Sequence, residues 1–160
     1  MDKNEIYSLL DSCNIKYEVT NHKAVFNMVE LESVNLPYPD CQAKNLFVRD
    51  NKKRNYYLIT IKGDKRVKLK EFAEMQQLKS LSFASNDDLM KLLKLDPGSV
   101  TPFGLLNDAE HKVILFIDEA FKDGLIGIHP NDNTATIWLK TDDLIEVIKR
   151  HGNEIISVQI

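Results

Sequence analysis

The sequence predicts an α+β fold in which a mixed, curled and barrel-like β-sheet is flanked by helices. Two observations predict this class. Short runs rich in β-branched and aromatic residues are separated by tight polar turns, and amphipathic segments with helical spacing lie between them. No linker rich in Gly, Ser or Pro and no internal repeat divides the 160 residues. We therefore expect residues 1–160 to form one domain, since a chain of this length buries one sizeable core.

Five segments are predicted to be helices because their apolar residues recur at positions three and four apart. Asp2 or Asn4 can cap the first, and the capping run 85–88 begins the fourth. The run 141–143 is expected to cap the fifth. The predicted helices span residues 4–13, 28–34, 69–77, 86–95 and 144–151.

Eight runs are predicted to be strands. Residues 46–48 and 56–61 flank the turn-forming segment 50–55 and indicate a β-hairpin. Residues 113–117 (VILFI) are apolar throughout, as expected for a buried central strand. The other predicted strands span residues 15–20, 81–84, 125–128, 134–139 and 155–160.

Basic residues are concentrated in one segment of an otherwise acidic chain. The formal net charge is −3, but residues 44–70 hold ten Lys or Arg and only two acids. A basic segment on an acidic body is typical of local phosphate contact. Lysines at a sheet edge also discourage aggregation, so a solvated hairpin edge explains the same pattern.

Several kinds of chemistry lack their sequence signatures. The chain contains no GxSxG, HExxH, CxxC, P-loop or GxGxxG motif, and its four histidines show no metal-ligand spacing. We therefore expect no metal and no cofactor. Two cysteines, no long apolar run and no signal peptide indicate a reduced cytoplasmic protein that has no membrane partner.

Two places in the sequence are candidates for a site. Lys44, followed by Asn45, stands where the chain turns from polar to apolar, and is either a surface lysine or a cation at the rim of a pocket. His129, between Gly127 and Pro130, ends an apolar run. This second segment is either a plain β-turn or a loop that presents backbone N–H groups and one imidazole.

Five segments taken in order resemble the YbaK/ProX family, the free-standing relatives of the editing domain of bacterial prolyl-tRNA synthetases. The similarity covers essentially the whole chain, and the KN pair and the GIHP loop make it closest to the ProX branch. The segments are CQAKNLFV (41–48), DNKKRNYYL (50–58), PGSVTPFGL (97–105), DEA (118–120) and GIHPN (127–131).

The resemblance implies hydrolysis of the ester in mischarged tRNA(Pro), most closely Ala-tRNA(Pro), by a carboxylic ester hydrolase. Lys44 would act electrostatically on the terminal phosphate or the ester carbonyl, and Asn45 would hold the substrate. The ribose 2′-OH would assist the water, so no strong general base is needed. Activity on Cys-tRNA(Pro), or a binding module without turnover, are the alternatives.

The resemblance also assigns the remaining contacts. The loop 127–130, with Ile128 and His129, would meet the aminoacyl end. Phe47, Phe103 and Ile128 are candidates for the wall that excludes proline, and Gly104 is placed beside them, although 101–104 could equally be structural. Phosphates would meet Lys52, Lys53 and Arg54 at the hairpin tip, or Lys62, Lys65, Arg66, Lys68 and Lys70 beyond it. Prolyl-tRNA synthetase or an elongation factor are candidate partners, and DNA is not.

Overall fold

The structure is a computed structural model that describes residues 1–160, and it confirms the α+β class. The helices are α1 (Lys3–Ser12), α2 (Met28–Glu32), α3 (Leu69–Met75), α4 (Asn86–Leu93) and α5 (Thr141–His151). The strands are β1 (Tyr17–Asn21), β2 (Ala43–Asp50), β3 (Tyr56–Lys62), β4 (Leu81–Phe83), β5 (Val113–Asp118), β6 (Leu125–Ile128), β7 (Ala135–Lys140) and β8 (Ile155–Val158). No helix is long and apolar enough to cross a membrane.

The helix ends follow local chemistry. Asp2 caps α1 through a reciprocal capping box with Glu5, and the Ser85 hydroxyl accepts from the Asp88 N–H at the start of α4. The prediction for α5 was wrong in one respect. Residues 141–143 form the first turn of the helix, and Lys140 occupies the cap position without a side-chain cap.

The strands form two sheets instead of the single curled sheet that the sequence predicts. One has the order β4-β2-β3-β5-β8, with antiparallel pairs on the β4 side and parallel pairs from β3 to β8. The other is antiparallel, with the order β1-β7-β6. A strand's residue pattern reports which of its faces is buried, but not which strand lies beside it.

The two sheets meet at one isolated bridge between Gln42 and Gly127, just before β2 and near the end of β6. Gly127 faces Trp138 across the β6–β7 ladder, and a Cβ at position 127 would lie 2.2 Å from the indole ring. Only glycine therefore permits this strand pairing. The junction brings the beginning of β2 next to the residues that follow β6.

The larger hydrophobic core lies on one face of the β2–β3–β5 sheet, with α1, α4, α5 and the 3₁₀ turn Pro102–Asn107 packed over it. A smaller core, which includes Val48, Phe72 and Phe116, lies on the opposite face. The side chains of β2 alternate between these two cores, as expected for a strand.

Candidate active site

A pocket opens at the junction of the two sheets, with a volume of about 180 Å³. Four parts of the chain build it: the segment around α2, the beginning of β2, the loop at residues 98–100, and the end of β6 with the residue that follows it. Its lining residues are Val25, Phe26, Asn27, Met28, Leu31, Gln42, Ala43, Lys44, Asn45, Gly98, Val100, Ile128 and His129.

Lys44 and Asn45 leave opposite faces of β2, because neighbouring side chains in a strand alternate. The Lys44 ammonium reaches the turn that follows β3 and donates a hydrogen bond to the carbonyl oxygen of Lys65. Burial, and then the nearby charge of Arg66, lower the pKa of Lys44. The charge of Asp64 acts in the opposite sense but does not outweigh them. Lys44 lines the pocket and Arg66 does not, so the Lys44 ammonium is the cation available to an anion there.

Asn45 points to the core side of β2, toward the pocket. The hydroxyl of the buried Thr60, its cross-strand partner, donates to Oδ1 of Asn45 at 2.6 Å. This bond uses the amide oxygen, so the Nδ2 group is left as a donor for a ligand. Because Thr60 fixes the amide orientation, the donor is already in place before a substrate binds.

The surroundings of His129 fix its tautomer. Its Nδ1 lies 2.8 Å from the carbonyl oxygen of Ala135, so Nδ1 carries the hydrogen and Nε2 of the neutral ring is an acceptor. Burial, together with the nearby His22, lowers the pKa of His129. The His22 ring lies 5.9 Å away, between centroids. His129 is therefore held neutral near pH 7.

The backbone of His129 is fixed as well. The hydroxyl of Thr101, which is fully buried, donates to the carbonyl oxygen of His129 at 2.6 Å. Thr101 belongs to the PGSVTPFGL segment, and this bond ties that segment to the loop after β6. The segment therefore holds His129 in position, in addition to lining the pocket.

Gln42 is a lining residue that the sequence analysis did not single out. Its Nε2 donates to the carbonyl oxygen of Ala43 at 3.3 Å, whereas its buried Oε1 has no hydrogen-bond partner. Gln42 also lines a second cavity of about 470 Å³, which it and Met28 share with the pocket. That second cavity is bordered by Lys62 and Lys65, and also by the acidic residues Glu32, Asp40 and Asp64. The two spaces are therefore neighbours.

Several residues predicted to contact substrate lie elsewhere. Phe47 stacks on Tyr56 within the core, and Phe103 is fully buried there. Gly104 packs against Leu95, whose side chain would clash with a Cβ at position 104. Pro130 is buried and lies outside the pocket lining, as does Gly127. Of the three residues predicted to wall the pocket, only Ile128 lines it.

The predicted phosphate contacts fall into two groups. Lys52, Lys53 and Arg54 are exposed at the hairpin tip, far from the pocket. Arg66 and Lys68 are exposed between β3 and α3, at the other end of the hairpin, and the charge of Arg66 reaches Lys44. The Lys65 ammonium is already paired with the buried carboxylate of Asp118 at 2.9 Å. Lys65 is therefore a structural cation that holds the turn in place.

The residues that the sequence analysis missed are mostly those of the segment 25–31. That segment carries no motif, and its single charged residue, Glu30, bonds to the local backbone, so nothing in the sequence signals a site there. Gln42, Gly98 and Val100, in contrast, fall inside the segments that carried the family resemblance. No group of three or more His, Cys, Asp or Glu side chains is arranged to hold a metal ion.

Comparison with known proteins places the chain in a family. Residues 22–147 match the model of the aminoacyl-tRNA editing domain. The chain is 36% identical to the prolyl-tRNA editing protein ProX of Acetoanaerobium sticklandii, and the match covers 99% of this chain and 97% of that protein. It is 31% identical to the mouse prolyl-tRNA synthetase associated domain-containing protein 1, over 94% of this chain and 91% of that one.

The fold also matches a solved structure. A crystal structure of a proposed trans-editing enzyme for prolyl-tRNA synthetase superposes with a TM-score of 0.68 at 15% identity, covering 99% of this chain and 96% of the other. This likeness concerns the fold alone. The sequence matches go further and confirm the resemblance to YbaK/ProX proteins. The chain belongs to the aminoacyl-tRNA editing domain family.

Proposed function

We propose that this protein is a trans-editing hydrolase that removes alanine from mischarged tRNA(Pro), and that residues 1–160 act as one editing domain. Membership of the editing family supports the reaction class, and the similarity to ProX, which is named a prolyl-tRNA editing protein, supports the tRNA. The acceptor end of tRNA(Pro) is the proposed partner. A synthetase or elongation factor could deliver it.

One observation carries the proposal: Asn45, Ile128 and His129 converge on one small pocket from positions more than 80 residues apart in the chain. A donor, an apolar wall and an unprotonated imidazole are the groups that an ester of a small amino acid requires. An aminoacyl ester is already activated, so positioning and stabilisation of the oxyanion supply most of what the reaction needs.

The reaction begins when water attacks the ester carbonyl carbon. The Asn45 Nδ2 group donates to the carbonyl oxygen as it becomes an oxyanion. The ribose 2′-OH relays one proton of the water to the 3′-oxygen, which departs as a hydroxyl, and alanine leaves as its carboxylate, with the other water proton released to solvent. Nε2 of His129 accepts a hydrogen bond from the 2′-OH or from the substrate ammonium, and no step requires a metal.

Lys44 is proposed to bind a phosphate of the acceptor end and not the ester carbonyl. Its side chain leaves the face of β2 opposite to that of Asn45, and its ammonium lies near Arg66. Two neighbouring cations suit a phosphate group.

Selectivity against proline would be steric. Ligand pockets for drug-sized molecules hold about 300–1,000 Å³, so a pocket of about 180 Å³ suits a small side chain. A rigid wall of Val25, Leu31, Val100 and Ile128, most of it buried, would reject the proline ring more sharply than an apolar pocket rejects a smaller group. The side chains of alanine and cysteine are both small enough for this pocket.

The test is a deacylation assay with Ala-, Cys-, Ser- and Pro-charged tRNA(Pro), run on the wild type and Lys44→Ala. We expect hydrolysis of Ala-tRNA(Pro), no hydrolysis of Pro-tRNA(Pro), and a large loss of activity in the variant. Preferred hydrolysis of Cys-tRNA(Pro) would reassign the substrate. Equal rates for the two proteins would refute the role of Lys44, and an inactive wild type would favour a binding module.

A further inference from the structure

Phe26 is an exposed aromatic side chain at the mouth of the pocket. It lies just before α2 and lines the pocket, yet 64% of its surface is exposed. A single exposed apolar residue is common on a protein surface, so it is the position of Phe26 in the pocket lining that sets it apart. The proposed mechanism uses Asn45, His129 and Lys44 and leaves Phe26 without a role.

The backbone around Phe26 is held firmly, so its exposure does not come from a loose loop. The preceding Val25 is buried, and its backbone bonds to Asn133 twice: Val25 N donates to the Asn133 carbonyl at 3.2 Å, and Asn133 Nδ2 donates to the Val25 carbonyl at 2.8 Å. The Phe26 N–H donates to the Glu30 carboxylate at 2.9 Å, and Asn27 caps α2.

One side of the Phe26 ring is supported by backbone. A Cβ at position 98 would lie 2.9 Å from Cδ1 of Phe26, so the ring rests directly against Gly98. Gly98 also has a φ of +90°, which other residues rarely adopt. The ring is thus braced by glycine while most of its surface faces solvent at the pocket mouth. This is the geometry of a stacking platform.

We propose that Phe26 stacks against the terminal adenine of the tRNA acceptor end. This inference rests on the proposed function, since it requires that the aminoacyl group occupy the pocket behind Phe26. The ester joins the amino acid to the ribose of that adenosine, so the base must lie just outside the pocket. Every base presents a π-face, and aromatic side chains are its usual partners in single-stranded nucleic acids.

The other exposed apolar residues do not share this position. Val29 is exposed on α2 but does not line the pocket and has no ring. Phe83 has nearly the same exposure as Phe26, 62%, but lies on β4, the edge strand of the larger sheet, and lines none of the larger cavities. Phe83 is therefore a matched control for an exposed phenylalanine.

The test compares two uncharged tRNA(Pro) acceptor minihelices, one ending in CCA and one whose terminal nucleotide lacks its base. At low salt we expect the wild type and Phe83→Ala to bind the CCA end about 5- to 150-fold more tightly, which is the range that stacking of one base supplies. Phe26→Ala should bind both RNAs equally, and Phe26→Trp should restore the difference. Thermal melts would establish that each variant is folded.

Two results would overturn the proposal: a wild type that does not distinguish the two RNAs, or a Phe26→Ala variant that still does. If Phe26 instead walls the amino-acid pocket, its replacement changes which charged tRNA is hydrolysed and leaves the binding of uncharged RNA unchanged. The two RNAs carry no amino acid, so this binding test does not depend on hydrolysis. A wild type that distinguishes the two RNAs but does not hydrolyse Ala-tRNA(Pro) would refute the deacylase function, and the stacking role of Phe26 would stand.

Discussion

The two ends of the β2–β3 hairpin share a basic sequence but are built differently. At the tip, Lys52, Lys53 and Arg54 are exposed, and the turn is closed by its own atoms. At the other end, the cations contact distant parts of the chain. Lys65 pairs with Asp118 from β5, and the Lys62 ammonium lies 4.7 Å from the centroid of the Phe121 ring.

Each end contains a buried carboxylate, and the two carboxylates have different partners. Asp50 accepts hydrogen bonds from Arg54 N and Asn55 Nδ2, both at 2.8 Å, so it serves only its own turn. Asp118 accepts from Ala120 N and Lys62 N, and it binds Lys65. The tip is therefore a local structure, whereas the pocket end depends on three strands and the turn that binds Lys44.

This difference shows that one run of charge in the sequence can form two separate surfaces. Six residues of strand separate Lys44 from Asp50, which is about 20 Å at the usual rise per residue. Only the pocket end can contact the same phosphates as Lys44. Four predictions test how far the two ends differ.

The largest effect is expected for Asn45→Ala. Loss of one preorganised donor to an oxyanion lowers kcat by about 100- to 1,000-fold, so the deacylation of Ala-tRNA(Pro) should fall in that range. Single-turnover measurement separates this loss from weaker binding. Asn51→Ala, an exposed asparagine at the tip, is the control and should retain full activity. A loss below threefold in Asn45→Ala would exclude the proposed donor.

The second prediction concerns stability. Asp118→Asn should reduce the free energy of unfolding by roughly 3 kcal/mol, because it leaves Lys65 unpaired and weakens two backbone bonds. Asp50→Asn should cost about 1–2 kcal/mol, since its partners are local and uncharged. Urea unfolding measures both. An equal loss of unfolding free energy in the two variants would show that the two carboxylates stabilise their ends of the hairpin equally.

The effect of Asp118 has a defined pH dependence. Burial alone would raise the pKa of Asp118, but the bonds from Ala120, Lys65 and Lys62 outweigh it and lower the pKa. Its stabilising contribution is therefore complete above the unfolded value of about 3.9 and is lost as the pH falls toward the lower folded value. The difference between wild type and Asp118→Asn should shrink below about pH 4.

The third prediction compares the cations directly. Replacing Arg66 and Lys68 by alanine should weaken binding of a short single-stranded RNA ending in CCA by about tenfold at low salt, and reduce the salt slope by about 1 to 2. Replacing Lys52 and Lys53 removes the same charge at the tip and should leave both quantities nearly unchanged. Equal losses for the two double variants would mean that net charge, and not position, governs binding.

The smallest effect is a shift in the pH profile of deacylation. Burial and the nearby His22 lower the pKa of His129, so the neutral ring persists below the usual value of about 6.5. The rate should be flat near pH 7 and fall only when His129 becomes protonated at lower pH. Because His22 contributes to lowering the pKa of His129, replacing it in His22→Asn should move that fall to higher pH. His151→Asn, far from the pocket, should leave the profile unchanged.

Much of the secondary structure could be predicted, because it depends on local patterns. The hairpin, the VILFI strand and the cap at Ser85 are signalled by neighbouring residues, and each was confirmed. The two-sheet arrangement was not predicted, because pairing of β1 with β7 joins residues more than 110 positions apart. Burial of Phe47 and Phe103 was likewise invisible, since an aromatic residue near a motif suits either a pocket or a core.

The sequence by itself determined the family, the basic segment and the pairing of Lys44 with Asn45 in one motif, because short-range order and composition are written along the chain. The tertiary structure alone decided that these two side chains leave opposite faces of β2, that Thr60 orients Asn45, and that Ala135 sets the tautomer of His129. It also exposed Phe26 against Gly98. These relations depend on which atoms lie within a few ångströms of one another, and that is settled only when the two sheets meet.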